Sequence, residues 1–265
     1  MNTYSLTPFD LSLAAIFVIS LAIVSRLSQL GIGKRILISA LRTTLQLLLV
    51  GLVLNSLFSH VKPIWVGLMA FVMLCAATRE VVARQKNPLK GAWGFGIGSL
   101  SMFISSFVIT SLALIVIINQ APWYTPRYAI PLLGMILGNT MNGIAIGMDR
   151  LTQTARDQRK TIEARLMMGQ SWSEAISDIR RDSIRSGMIP IINSMAIAGL
   201  VSLPGMMTGQ ILAGTPPFEA VKYQIMIMFM IATGTGFGSI FAVSFTAKRL
   251  FDSRHRLCLD RLKTN

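Results

Sequence analysis

The chain has 265 residues, of which 52% are apolar and only 14% charged, with a formal net charge of +14. Soluble globular domains carry about 25% charged residues, so the composition argues against a water-soluble fold. The basic residues lie between apolar runs instead of covering one soluble face. That excludes a nucleic-acid partner and points to a membrane protein with basic loops.

The apolar runs have the length of roughly 20 residues that a helix needs to cross a bilayer. Seven spans are predicted, at Phe9–Leu30, Ile36–Phe58, Pro63–Val82, Trp93–Ile118, Tyr128–Met148, Met188–Ala213 and Phe218–Ala247. The stretch before the first, with Asn2, Thr3, Tyr4, Ser5 and Asp10, has no basic residue. A signal peptide would need one, so a retained span is expected. Apart from Lys62, Arg127 and Lys222, every Lys and Arg falls in the first, third and fifth loops and the C-terminal tail, or at their borders. Positive residues mark the cytoplasm. The expectation is an all-α polytopic membrane protein with its N-terminus outside and its C-terminus cytoplasmic. It would be one transmembrane domain over residues 1–265, with a cytoplasmic loop at 149–187.

Small residues four apart, such as Gly94 with Gly98, Gly143 with Gly147 and Gly234 with Gly238, let helix backbones approach closely in lipid. Cys75 lies in a span and Cys258 in the tail, so both read as free thiols. With His60 and His255 the only histidines, no metal site is assigned. The chain has no GxxxxGK[ST] loop, nucleophile elbow or HExxH, and no paired carboxylates within a span. It reads as a transport subunit and not an enzyme, and any ATP that drives it would bind another chain.

The loop from Asp149 to Gly187 carries helical apolar spacing: Ile162, Leu166 and Gly169, then Trp172, Ala175, Ile176 and Ile179. Gly169 is expected to end one helix. Ser171 and Glu174 form a capping-box pattern that opens the next. Asp178 with Arg181, and Asp182 with Arg185, can pair one turn apart. An amphipathic helix lying on headgroups is one reading. A docking elbow is the other, and the tight turn favours it.

Pro204-Gly205 falls near the middle of the sixth span and is expected to kink that helix. Breaks at membrane depth occur where protein or water satisfies the freed backbone. Polar residues form stripes around it: Asn139, Asn142 and Asp149 in the fifth span, Met206, Met207 and Gln210 after the break, Gln224, Met228 and Thr235 in the seventh, and Gln46 in the second. Gln46, Asn139, Asn142, Pro204, Gly205, Met206, Met207, Gln210 and Gln224 are therefore the candidate substrate pathway or gate. Interhelical hydrogen bonding is the alternative for the amides. Most of the 16 methionines read as core fillers.

Glu163-Ala164-Arg165-Leu166-Met167-Met168-Gly169, with Ile179 following nine residues later, resembles the EAA loop of bacterial ABC importer permeases. Arg165 departs from the pattern at its third position, and Arg181-Asp182 stands where Leu-Pro would follow. Asp182-Ser183-Ile184-Arg185, Gly199-Leu200-Val201-Ser202-Leu203-Pro204-Gly205-Met206-Met207-Thr208-Gly209 and Lys222-Tyr223-Gln224-Ile225-Met226 resemble the FetB-type permease family. Those are membrane subunits of an ABC transporter assigned to iron export, with plant relatives linked to aluminium tolerance. The resemblance spans nearly the whole chain. It implies a permease homodimer in the bacterial inner membrane, which binds no cofactor itself and is powered by ATP through a cytoplasmic ABC ATPase subunit. Glu163, Ala164, Gly169, Trp172 and Ile176 would couple it to that ATPase. An ATP-independent channel or secondary carrier, and a membrane assembly factor without cargo, stay open as alternatives.

Overall fold

A computed structural model describes residues 7–59, 62–119 and 121–263. The Asn2–Ser5 stretch and His60 lie outside them. The chain divides into two compact units, Met1–His60 and Val61–Asn265.

The first unit is a helix pair, α1 (Pro8–Leu27) and α2 (Gly33–Ser59). The main-chain N–H of Thr7 donates to the Asp10 carboxylate at 2.8 Å, and the Asp10 N–H returns to the Thr7 hydroxyl at 3.4 Å. This reciprocal cap satisfies donors that the first turn leaves free. A Cβ on Gly33 would lie 2.9 Å from the Ala22 carbonyl oxygen, so the start of α2 lies in near-backbone contact with the later turns of α1.

The second unit holds α3 (Pro63–Arg84), α4 (Trp93–Ile118), α5 (Pro126–Asp157), α6 (Arg159–Met167), α7 (Trp172–Ala175), α8 (Ser177–Ile197), α9 (Gly205–Leu212) and α10 (Pro217–Arg249). Proline opens α1, α3, α5 and α10. At that position its missing N–H costs nothing and its fixed φ suits the helix. Among the described residues six helices, α1 to α5 and α10, are long and apolar enough to cross a membrane, and the chain is a polytopic all-α membrane protein.

The expected sixth span is the exception. It forms no single kinked helix over Met188–Ala213. Helix α8 stops at Ile197, and α9 restarts only at Gly205. Between them Gly199 takes a left-handed φ of +82°, and its N–H donates to the Ser202 carbonyl at 2.9 Å. Pro204 is extended and caps α9. A kink needs helical backbone on both sides of the proline; here the turn at Gly199 ends the helix before Pro204 is reached.

Helices α5, α8 and α10 form the centre of the second unit. A Cβ on Gly187 of α8 would lie 2.5 Å from the Gly143 carbonyl oxygen of α5, and one on Gly143 would lie 2.5 Å from the Thr235 methyl of α10. A Cβ on Gly238 would meet the Thr140 methyl at 2.6 Å and the Ser105 hydroxyl at 3.0 Å. Where α10 passes, α4 widens into a π-helical turn at Phe103–Phe107, and a second follows at Ala113–Ile118. The Ser105 hydroxyl there donates to the Ser101 carbonyl at 2.7 Å. Lipid supplies no hydrophobic drive between helices, so this close packing is what holds them together. Gly187→Ala should destabilise the protein by about 1–3 kcal/mol through overpacking. Gly67→Ala, where a Cβ meets nothing within 4 Å, should be neutral or slightly stabilising. Thermal unfolding of both variants in the same detergent checks the contrast.

Candidate functional site

The expected elbow is present at the end of α5. Helix α6 closes at Met167, and Gly169 follows with φ +88°, its N–H donating to the Leu166 carbonyl at 3.0 Å. Such a φ strains any residue with a Cβ, which is why glycine stands there. Glu174 then accepts from the Ser171 hydroxyl at 2.7 Å and the Ser171 N–H at 2.8 Å. These two bonds hold the Glu174 carboxyl below its ordinary value of 4.5. The stabilisation is therefore complete above pH 4.5 and is lost as the pH falls through the lowered folded value.

The two arms are stapled by the residue that departs from the EAA pattern. The Arg165 guanidinium pairs with Asp178 at 2.9 Å and donates to the Ala175 carbonyl at 3.3 Å. Asp178 also sits 3.9 Å from Arg181, and Asp182 3.4 Å from Arg185. Glu163 pairs with Arg159 at 2.7 Å along α6.

Beneath the elbow lies a hydrophobic core. Ile162, Ala175, Ile176 and Ile179 pack with Leu151 and Ala155 of α5, Val243 and Ala247 of α10, and Phe251 and Leu262 of the C-terminal segment. The Trp172 ring packs against Phe251 at 5.8 Å between centroids, and its main-chain N–H donates to His255 Nδ1 at 3.1 Å. The segment is itself well tied. Asp252 accepts from the N–H groups of Arg256 at 2.8 Å and Arg254 at 2.9 Å and from the Arg256 guanidinium at 2.8 Å. These bonds, the Arg256 N–H foremost, hold its carboxyl below the usual range. Leu262 pairs with Leu89 of the α3–α4 loop, and the Lys263 N–H donates to the Pro88 carbonyl at 2.8 Å.

The structure sorts the expected coupling residues. Ile176 is fully buried and Trp172 half-buried, so both hold the elbow from within. Ala164 and Gly169 are exposed at its tip, and Glu163 is half-exposed. Beside them stand Met167 and Met168, 83% and 73% exposed.

The pathway candidates fall into three places. Gln46 is exposed on α2, within the first unit. Asn139 and Asn142 are half-buried on α5. Asn139 donates to the Met135 carbonyl at 2.8 Å, and Asn142 accepts from the Arg84 guanidinium of α3 at 2.5 Å. Asp149 on the same helix accepts from the Lys86 N–H at 2.8 Å and from Gln153, so it anchors the loop after α3. Pro204, Gly205, Met206, Met207 and Gln210 lie at and after the break. Helix α9 packs on α10, and both Gln210 and Gln224 hold a buried amide oxygen without a hydrogen-bond partner. Among the described residues no three His, Cys, Asp or Glu side chains gather as a metal site.

Residues 8–251 match the family described as "Uncharacterised protein family (UPF0014)". The chain belongs to this family. A UPF0014 membrane protein of Synechocystis sp. is 42% identical over 82% of this chain and 83% of its own. The Escherichia coli protein named Probable iron export permease protein FetB is 33% identical over 99% of both chains. The Arabidopsis thaliana Protein ALUMINUM SENSITIVE 3 is 29% identical over 92% of this chain and 88% of its own. No solved structure matches significantly.

Two features of this UPF0014 chain escape sequence reasoning. One is the exposed Met167–Met168 tip, which stands outside the apolar spacing of Ile162 and Leu166 and enters the sequence reading only within the EAA-like run. The other is Arg84, which reads as a loop-border charge yet reaches Asn142 while pairing with Glu80 at 3.4 Å. The i, i+4 spacing of Glu80 and Arg84 was the available signal. Removing elbow core and elbow tip should separate. Ile176→Ala should cost about 2–5 kcal/mol through the cavity it leaves, and Met168→Ala less than about 0.5 kcal/mol. Denaturation of the two purified variants measures both.

Proposed function

We propose that this chain is the membrane-spanning subunit of an ABC transporter, with a separate cytoplasmic ATPase docked on the elbow. The observation that carries the reading is the tip itself. Met167 and Met168 are exposed at 83% and 73% on a turn held rigid by the Arg165–Asp178 pair and by the core beneath it. Exposed apolar side chains on a rigid, charged scaffold mark a protein-binding surface. Amphipathic anchoring to lipid would need neither the turn nor the staple. The concentration of basic residues at this end of the helices supports a cytoplasmic elbow and C-terminus, in a bacterial inner membrane.

The cargo would pass where α8 and α9 part. Broken helices build transporter sites because their freed backbone groups can face a polar cavity. The partnerless amide oxygens of Gln210 and Gln224, with Met206 and Met207 beside the break, supply acceptors and soft thioethers for a briefly held cargo. The Escherichia coli relative is named for iron export, and we take iron or another metal species, moved out of the cytoplasm, as the substrate. Two permease copies would enclose the path.

Helix α8 is continuous from the elbow to the break. It is the lever by which closure of the ATPase would reach the gate. Met167→Glu/Met168→Glu should fold as the native chain does, because both side chains are exposed. An ABC ATPase should co-purify with the native protein in mild detergent and be lost from this variant. Absence of an ATPase with the native chain would contradict the reading and favour an ATP-independent carrier.

A further inference from the structure

The first turns of α4, the last turns of α10 and the C-terminal segment line an open groove of about 660 Å³. Its placement is set by two span ends. Trp93 opens α4 and Arg249 closes α10, so the groove lies at a membrane–water boundary, the level where tryptophan concentrates. Its floor is apolar, with Gly96, Leu100 and Phe245. Its upper wall carries Lys248, Arg249 and Arg261, and no carboxylate lines it.

Three cations drawn together without an anion repel one another. Two are nonetheless held in place. The Arg249 guanidinium stacks over the Trp93 ring at 4.0 Å from its centroid. One Arg261 nitrogen donates to the carbonyls of Arg249 at 2.7 Å and Phe251 at 3.0 Å. Each guanidinium has five N–H donors, so these contacts leave others free to reach an anion. Lys248 is exposed beside them.

The floor decides what kind of anion fits. A soluble phosphate has no use for an apolar groove, and an acyl chain does. Gly96 keeps the groove open, since a Cβ there would meet nothing within 4 Å. A second apolar groove of about 590 Å³ shares Gly96 and Leu100 and runs along Phe71 and Phe103 between α3 and α4. We infer that this is a binding site for one anionic phospholipid, its phosphate held by Lys248, Arg249 and Arg261 and its acyl chains laid over Gly96 and Leu100. Basic pockets between helices at a membrane surface take such headgroups. The same Arg261 secures the C-terminal segment that backs the elbow, so the bound lipid would brace the elbow against the bilayer.

Native mass spectrometry of the detergent-solubilised protein tests this. The probes are phosphatidylglycerol and phosphatidylcholine with identical acyl chains, each with and without excess inorganic phosphate. The expected result is about tenfold stronger retention of phosphatidylglycerol, undisturbed by phosphate. Lys248→Gln and Gly96→Leu, with lipid-free unfolding midpoints matching the native chain, should each bring the ratio towards one. Equal retention of the two lipids would overturn the proposal, as would displacement by inorganic phosphate or an unchanged ratio in both variants.

Discussion

Where α5 crosses α8, a carbonyl oxygen of Gly143 and the α-carbon of Gly187 meet with no room for a methyl group between them. The same stretch of α5 touches Thr235 of α10, and four residues on Gly147 lies against Val243. In a bilayer, apolar side chains gain nothing by leaving lipid for another helix, so backbone proximity and dense packing must hold the bundle. This contact fixes the direction of α8, and with it both the elbow at one end and the break at the other. The elbow's core draws on Leu151 and Ala155 of α5 and Val243 and Ala247 of α10, so it is built on helices already locked by glycine.

The C-terminal segment is the second constraint. It links the α3–α4 loop, the end of α10 and the elbow through the Leu262–Leu89 pairing, the Arg261 main-chain bonds and the Trp172–His255 hydrogen bond. The elbow therefore does not rest on a loose surface. Here the tip is exposed and everything under it is fastened. The break between α8 and α9 is the opposite case, with Leu200 and Val201 89% and 82% exposed. Helix α8 thus runs from a fastened end to an exposed, irregular one.

The sequence showed much of this. Lipid forces long apolar helices and charge marks their ends, so six of the seven expected spans are helices; five have edges close to those read from composition, while α5 runs past the expected Met148 to Asp157. The Gly169 turn and the Ser171–Glu174 cap were legible because each rests on local chemistry within a few residues. The break at 198–204 was not, since Leu-Val-Ser-Leu is equally apolar as helix or as turn, and the left-handed Gly199 ends the helix five residues before Pro204. The Arg165–Asp178 staple and the contact of Trp172 with His255, 83 residues apart, depend on tertiary folding. Burial of Ile176 with Ala175 and Ile179 follows the apolar spacing, whereas their packing on Phe251 and Leu262 of the C-terminal segment is tertiary and no helical periodicity contains it.

A glycine-locked junction stands beside an open break, and amide hydrogen exchange read by mass spectrometry compares the two directly. Local opening free energies follow packing and hydrogen bonding. The prediction is slow exchange through the stretches of α5, α8 and α10 around Gly143, Gly187 and Gly238, with fast exchange at residues 198–204. Equal protection of the break and the junction, or faster exchange at the junction, would contradict it.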